Sequence, residues 1–333
     1  MKNIAFFDAK PYDIKWFDKV KAAYGMDIEY FESKLNLSTS VMARGFDAAI
    51  AFVNDEIDAP TIDSLIQNGV NVISLRCSGF NNVDLAHAKD KLKIYRVPAY
   101  SPSAVAEHAM ALLLSLNRKI HRAYNRVRDY NFSLKGFEGF DLFGKTMGVV
   151  GTGKIGQAFI QICKGFGMSV LAYDPYPLEG ATELGFEYAD LEDIFHDSDI
   201  IALHCPLTLQ NYHMINKNTL SMMKDGVYII NTSRGALINT EALLHAIKTE
   251  KVAGAGLDVY EEEGDFFFED VSAAPVTDDV LKLLLSTPNI LITSHQAFLT
   301  NEALQNIAET TLQNLKDHFE GNESPNQLVY KPK

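Results

Sequence analysis

The chain has 333 residues, which is long for one hydrophobic core, so two domains are expected. Lys plus Arg number 30 against 43 Asp plus Glu, giving a formal net charge of −13, and no long basic cluster occurs; nucleic acid is not an expected partner. Cys77, Cys163 and Cys205 are widely spaced and odd in number, and neither a signal-peptide core nor a bilayer-length apolar run is present, so no membrane partner and a cytoplasmic location are expected.

Residues 1–100 alternate short β-like runs, 4–8, 27–31, 47–53, 71–75 and 93–97, with helical patterns, as parallel strands joined by helical crossovers do. Ser101-Pro102 then opens a helix with Pro in its first turn, followed by an apolar stretch interrupted at Glu107 and His108. Residues 122–144 are rich in aromatics and charges and have weak periodicity; this segment is expected to wrap over a neighbouring surface before the chain enters the glycine turn. Thr146–Val150 reads as a buried strand, and Lys154–Phe166 has the spacing of a helix. Strand-like runs continue at 168–173, 199–204, 226–231, 254–259 and 289–293, making at least six in this half, and Asn301–Phe319 is a final amphipathic helix. The expected fold is α/β: two Rossmann-like or flavodoxin-like doubly wound parallel-sheet domains with a cleft between them. The C-terminal helix is free to return to the first domain.

Between the strand at 146–150 and its helix, Gly151, Gly153 and Gly156 complete G-x-G-x-x-G. The first glycine permits the turn, the second lets a pyrophosphate approach the backbone, and the third lets the helix pack close to the strand. Asp174 stands 23 residues after Gly151, at the end of the next strand, where a carboxylate accepts from the ribose hydroxyls and repels a 2′-phosphate. The cofactor expected from this arrangement is NAD.

Ligands of open α/β sheets sit at the carboxyl ends of the strands. Those ends carry His204-Cys205-Pro206, Asn231-Thr232-Ser233-Arg234, Asp258, Glu261-Glu262-Glu263 and Ser294-His295-Gln296. Arg234 suits a two-pronged grip on a substrate carboxylate, the plain alternative being a surface ion pair. His295 suits proton exchange with a carbonyl or hydroxyl, the alternative being a structural histidine. One of Glu261, Glu262 and Glu263 beside His295 would stabilise the imidazolium, and spacing alone does not choose among them. No metal-ligand spacing and no G-x-S-x-G elbow occurs.

The segments GTGKIG (151–156), HCPLT (204–208), NTSRGALI (231–238), GLDVYEEE (256–263) and SHQAFLT (294–300) resemble the signatures of the D-isomer-specific 2-hydroxyacid dehydrogenases. LRCSGFNNVDL (75–85), VPAYSPSAVAEHA (97–109), NFSLKGFEG (131–139) and DPYPLEG (174–180) are most similar to its NAD-dependent fermentative D-lactate dehydrogenase branch. The resemblance covers essentially the whole chain. It implies a substrate domain of residues 1–100 plus 299–333 and an NAD-binding domain of residues 101–298. It also implies that Arg234 binds the carboxylate, that His295 is the acid/base and that Glu263 is its partner. Carried over the same way, Phe52, Cys77, Ser78, Gly79, Tyr100 and Phe298 meet the substrate. Lys154, Ile155, Asp174, Cys205, Pro206, Asn211, Thr232, Ser233 and Asp258 join the glycines as cofactor contacts. Members form dimers or tetramers, so a homo-oligomer is expected. The implied reaction is reversible NADH-dependent reduction of pyruvate to D-lactate. The alternatives are a bulkier 2-keto acid, or a nicotinamide-sensing binding protein as in the family's co-repressor branch. Gln296-Ala297-Phe298, where other members often carry glycines, favours a small side chain on the substrate.

Overall fold

The computed structural model describes residues 1–330. The chain divides into two compact units, Met1–Ser101 with Phe298–Lys333, and Pro102–Ala297. Phe298 joins the first unit through its ring, which lies 6.2–6.3 Å from those of Tyr12, Phe52 and Tyr100.

In the first unit, β1 (Lys2–Phe6), β2 (Met26–Tyr30), β3 (Ala48–Ala51), β4 (Val72–Leu75) and β5 (Lys93–Tyr95) form one parallel sheet in the order β2-β1-β3-β4-β5. β3 and β4 are buried throughout, as strands covered on both faces must be. The helix Asn301–Glu320 packs on β4 along Ala303, Leu304, Ile307, Ala308, Leu312 and Leu315, and Ser74 Oγ donates to Thr311 O at 3.1 Å. Thr300 caps its start by accepting from Ala303 N, and Gly321 at φ 75° ends it.

The second unit holds β6 (Thr146–Val150), β7 (Ser169–Tyr173), β8 (Glu187–Tyr188), β9 (Ile200–Leu203), β10 (Val227–Asn231), β11 (Val252–Leu257) and β12 (Ile290–Ile292). All seven are parallel, in the order β12-β11-β10-β9-β6-β7-β8. The chain reverses its direction of travel across the sheet between β6 and β9, which is where such sheets open a ligand crevice. The helix Pro102–Arg118 lies against the helix Lys154–Gly165 and β11, and a Cβ at Gly256 would stand 3.1 Å from Leu112 Cβ.

Two elements left little trace in the sequence pattern. β8 has two residues, too few for any periodicity to register. Residues 120–128, which overlap the segment of weak periodicity, form the helix Ile120–Arg128. Ile120, Tyr124 and Val127 fall on one face at i, i+4 and i+7, yet none is buried, so the pattern lacks the apolar continuity of a core helix.

Candidate active site

The glycine turn is built as the spacing requires. Gly151 has φ 102°, and a Cβ there would come within 2.7 Å of His204 O and Cys205 N. A Cβ on Gly156 would stand 2.0 Å from Gly151 O, so only glycine allows the helix this close to the turn. At Gly153, by contrast, an added Cβ meets nothing within 4 Å. That open side faces the start of a 12-residue helix whose N-cap, Gly153, supplies no side-chain acceptor. Free N–H groups beside open space suit a pyrophosphate. Lys154 and Ile155 follow on the first turn, exposed and partly exposed.

Asp174 is held over this turn. Its Oδ2 accepts from Thr152 N at 2.7 Å and Thr152 Oγ1 at 3.1 Å, and its Oδ1 accepts from Tyr176 N at 2.9 Å. The carboxylate stays partly exposed, with lone pairs left for a diol. On the other side of β6, Asn211 Nδ2 donates to Pro206 O at 2.7 Å and to Cys205 Sγ at 3.8 Å. Burial pushes the Cys205 thiol up to about 11, so it sits as a neutral thiol. Thr232 Oγ1 is buried with no hydrogen-bond partner among the described residues, a vacancy a bound cofactor's polar groups would fit.

The turn after β10 presents Arg234. Buried Asn231 shapes it, accepting from Ser233 N at 3.0 Å and donating to Arg234 O at 2.9 Å, while Ser233 Oγ donates to Cys205 O. Arg234 Nη1 donates to Ser233 O at 2.7 Å, and no carboxylate pairs with this partly buried guanidinium among the described residues. Two strands along, after β12, His295 Nδ1 lies 2.8 Å from Glu263 Oε1, with both side chains less than one-fifth exposed at 18% and 17%. Glu263 Oε2 accepts from Tyr260 N at 3.0 Å. This leaves His295 Nε2 without a partner among the described residues.

The backbone of His295 is in the left-handed region, φ 52°, a conformation that a non-glycine residue holds only when its surroundings impose it. Asp258 imposes it. Its carbonyl accepts from His295 N at 2.7 Å, and its fully buried carboxylate accepts from Gln296 N at 2.9 Å, Ala297 N at 2.8 Å and Thr293 Oγ1. His108 Nε2 stands 3.3 Å from Asp258 Oδ1 and 3.0 Å from Thr293 Oγ1. Sequence reasoning did not single out His108 or Thr293. The signal for the first was the ionisable pair that breaks the apolar run at Glu107-His108.

In the first unit, Cys77, Ser78 and Gly79 follow β4 after Arg76. Cys77 Sγ donates to Gly79 O at 3.3 Å, and Arg96 Nη1 holds Ser78 O at 3.0 Å. Phe52, Tyr100 and Phe298 gather with Tyr12 in one aromatic cluster. Phe52 is fixed at every handle: Asp55 accepts from its N–H, Asn82 Nδ2 donates to its carbonyl at 2.9 Å, and the Arg76 guanidinium lies 3.8 Å from its ring centroid.

A family model described as the D-isomer specific 2-hydroxyacid dehydrogenase NAD binding domain matches residues 110–297. The chain belongs to this family. It is an NAD-dependent 2-hydroxyacid dehydrogenase, an oxidoreductase, and the glycine turn with Asp174 is part of its NAD-binding domain. It is 52% identical to the D-lactate dehydrogenase of Escherichia coli (strain K12), over 98% of this chain and 100% of that one. The apo structure of the Escherichia coli enzyme superposes with a TM-score of 0.90 at 50% identity, covering 98% of this chain and 100% of that one. A D-2-hydroxyisocaproate dehydrogenase structure is similar at a TM-score of 0.87 and 34% identity, covering 98% and 100%. So is the D-lactate dehydrogenase of Aquifex aeolicus complexed with NAD and lactic acid, at 0.87 and 32%, covering 99% and 100%. No helix among the described residues is long and apolar enough to cross a membrane, and no group of metal-ligating side chains occurs among them.

Proposed function

We propose that this dehydrogenase catalyses reversible NADH-dependent reduction of pyruvate to D-lactate. The observation that carries the proposal is the hydrogen-bonded pair of His295 and Glu263, on the same edge of the sheet as a partly buried Arg234, with neither His295 Nε2 nor the Arg234 guanidinium paired with a carboxylate among the described residues. Arg234 holds the substrate carboxylate through parallel N–H···O bonds and so fixes the neighbouring keto carbon. Bound NADH supplies the hydride. His295 donates its Nε2 proton to the keto oxygen as negative charge develops there, and Glu263 stabilises the imidazolium that exists before the transfer. General acid catalysis of this kind contributes about 10²–10⁴-fold. In the direction of lactate oxidation the same nitrogen removes the hydroxyl proton.

Asp174, the glycines at 151, 153 and 156, Lys154, Ile155, Cys205, Pro206, Asn211, Thr232, Ser233 and Asp258 are proposed as the residues that hold or support NAD. Asp258 does so through the turn it staples. Cys77, Ser78 and Gly79 offer backbone to the carboxylate, and Phe52, Tyr100 and Phe298 select a small side chain. The deciding assay follows NADH oxidation against a panel of 2-keto acids, with chiral analysis of the product. Pyruvate should give the highest kcat/KM and D-lactate the product. A higher value with phenylpyruvate or 2-ketoisocaproate would move the assignment to a bulkier substrate, and no turnover at all would leave nicotinamide sensing. His295→Gln at near wild-type rate would refute the proton-transfer role.

The enzyme is also proposed to be a cytoplasmic homo-oligomer of fermentative metabolism. Its three free cysteines are buried thiols suited to a reducing compartment. Ile120, Tyr124, Tyr130, Phe132, Leu134 and Phe143 expose apolar surface along one stretch of chain, as residues covered by a second copy do. Sedimentation equilibrium that returned only the monomer mass would refute the association.

A further inference from the structure

The three successive glutamates after β11 face three different surroundings. Glu263 holds His295, Glu262 is exposed, and Glu261 belongs to a second histidine–carboxylate pair. Glu261 Oε1 accepts from His213 Nε2 and from Tyr212 Oη at 3.2 Å, and its Oε2 accepts from Thr240 Oγ1 at 3.3 Å. Its side chain is 18% exposed and that of His213 23%. His213, like His295, has a left-handed backbone with φ 52°.

This carboxylate stands where three pieces of the site meet. His213 lies two residues beyond Asn211, in the loop proposed to meet the cofactor, and its N–H donates to Ala236 O at 2.9 Å, two residues beyond Arg234. The loops run on together, Ile215 N donating to Leu237 O at 3.0 Å and Asn239 N to Ile215 O at 2.8 Å. Asn239 Nδ2 also approaches His213 Nδ1 at 3.3 Å, so both ring nitrogens are engaged and the imidazole cannot turn away. On the other side, Gly235 is pressed so closely on the chain at Tyr260–Glu261 that a Cβ would come within 2.1 Å of Tyr260 C. Tyr260 N is the donor that orients Glu263 Oε2. Glu261 is therefore tied through His213 to the chain just beyond Arg234 and stands two residues from Glu263.

We infer that Glu261 is a positioning residue which, paired with His213, locks the turn carrying Arg234 to the segment carrying Glu263. The inference rests on the proposed roles of Arg234, Glu263 and His295. Supporting groups one step removed from the chemistry typically change activity by about 10–100-fold.

The test uses the full chain with Glu261→Gln, His213→Gln and both together, measuring steady-state kinetics with pyruvate, NADH affinity by fluorescence and the thermal midpoint by circular dichroism. Each single variant should lose roughly 10–100-fold in kcat/KM for pyruvate, through a higher KM for pyruvate and a lower kcat. NADH affinity should hold within about threefold, and the double variant should be no worse than the weaker single one by more than about twofold, because one coupled pair is being broken. Single variants within about twofold of wild type, or losses that multiply in the double variant, overturn the inference. So does a loss matched by collapse of both NADH affinity and thermal midpoint, which is what a merely structural contact would give. Failure of the underlying reading looks different: a wild-type chain inert to every keto acid, or His295→Gln turning over at wild-type rate.

Discussion

Replacing Glu263 by Gln removes the negative charge beside His295 and keeps the shape of the side chain. In the wild type, Glu263 Oε1 lies 2.8 Å from Nδ1, and both side chains are largely shielded, at 17% and 18% exposure. A charge-assisted hydrogen bond of this kind is worth about 1.5–3 kcal/mol. At 1.36 kcal/mol per factor of ten, that converts to roughly 10–150-fold in kcat/KM. The upper part of the range is expected, because the single amide oxygen must serve both His295 Nδ1–H and Tyr260 N–H, which Glu263 meets with separate oxygens. Steady-state kinetics with pyruvate should show the loss mainly in kcat, with NADH affinity measured by fluorescence unchanged. A Glu263→Gln enzyme within about twofold of wild type in kcat/KM would refute the reasoning. The carboxylate would then orient nothing that matters to proton transfer.

Asp174→Ser keeps an acceptor over the glycine turn but removes the charge. It should lower kcat/KM for NADH by roughly 10–100-fold and narrow the preference over NADPH, and an undiminished preference for NADH would count against the ribose assignment. The two glycines should part company. Gly156→Ala places its Cβ 2.0 Å from Gly151 O and should cost at least the roughly 1–3 kcal/mol of ordinary overpacking, seen as a lower thermal midpoint. Gly153→Ala meets no protein atom and should leave the midpoint in place while weakening NADH binding; equal midpoints in both variants would sink the account. His204 Nε2 is buried without a partner among the described residues, and burial lowers its imidazole to about 4. Its folded value lies below the unfolded one, so the stability it contributes is present above about pH 6.5 and is lost as pH falls toward 4. By pH 5 the loss is at most about 2 kcal/mol, and His204→Leu should lack it. Parallel acid-side losses in thermal midpoint for the two proteins would exclude His204 as the source.

The glycine turn, its strand and helix, and the aspartate beyond were legible because each step has a steric reason that leaves a trace in residue type. Strands buried on both faces were equally visible as apolar runs. What could not be read was anything fixed by long-range pairing. Nothing in three consecutive glutamates distinguishes Glu261 from Glu263, since the partners that separate them, His213 and His295, are 48 and 32 residues away. The left-handed backbone at both histidines is likewise invisible, because it is imposed by acceptors such as Asp258 O and Ala236 O rather than by the residue itself. The helix at 120–128 escaped notice because its apolar face is exposed within its own unit.

The missing side chain at Gly235 has a bearing on redesign. With the guanidinium turn and the glutamate segment touching backbone to backbone there, the seam holds no slack to absorb a change of size on either side. Anyone retuning Arg234 for a different acid group would also be detuning the proton donor, and libraries that vary the two segments jointly, with position 235 left untouched, are the ones that stand to recover working enzymes.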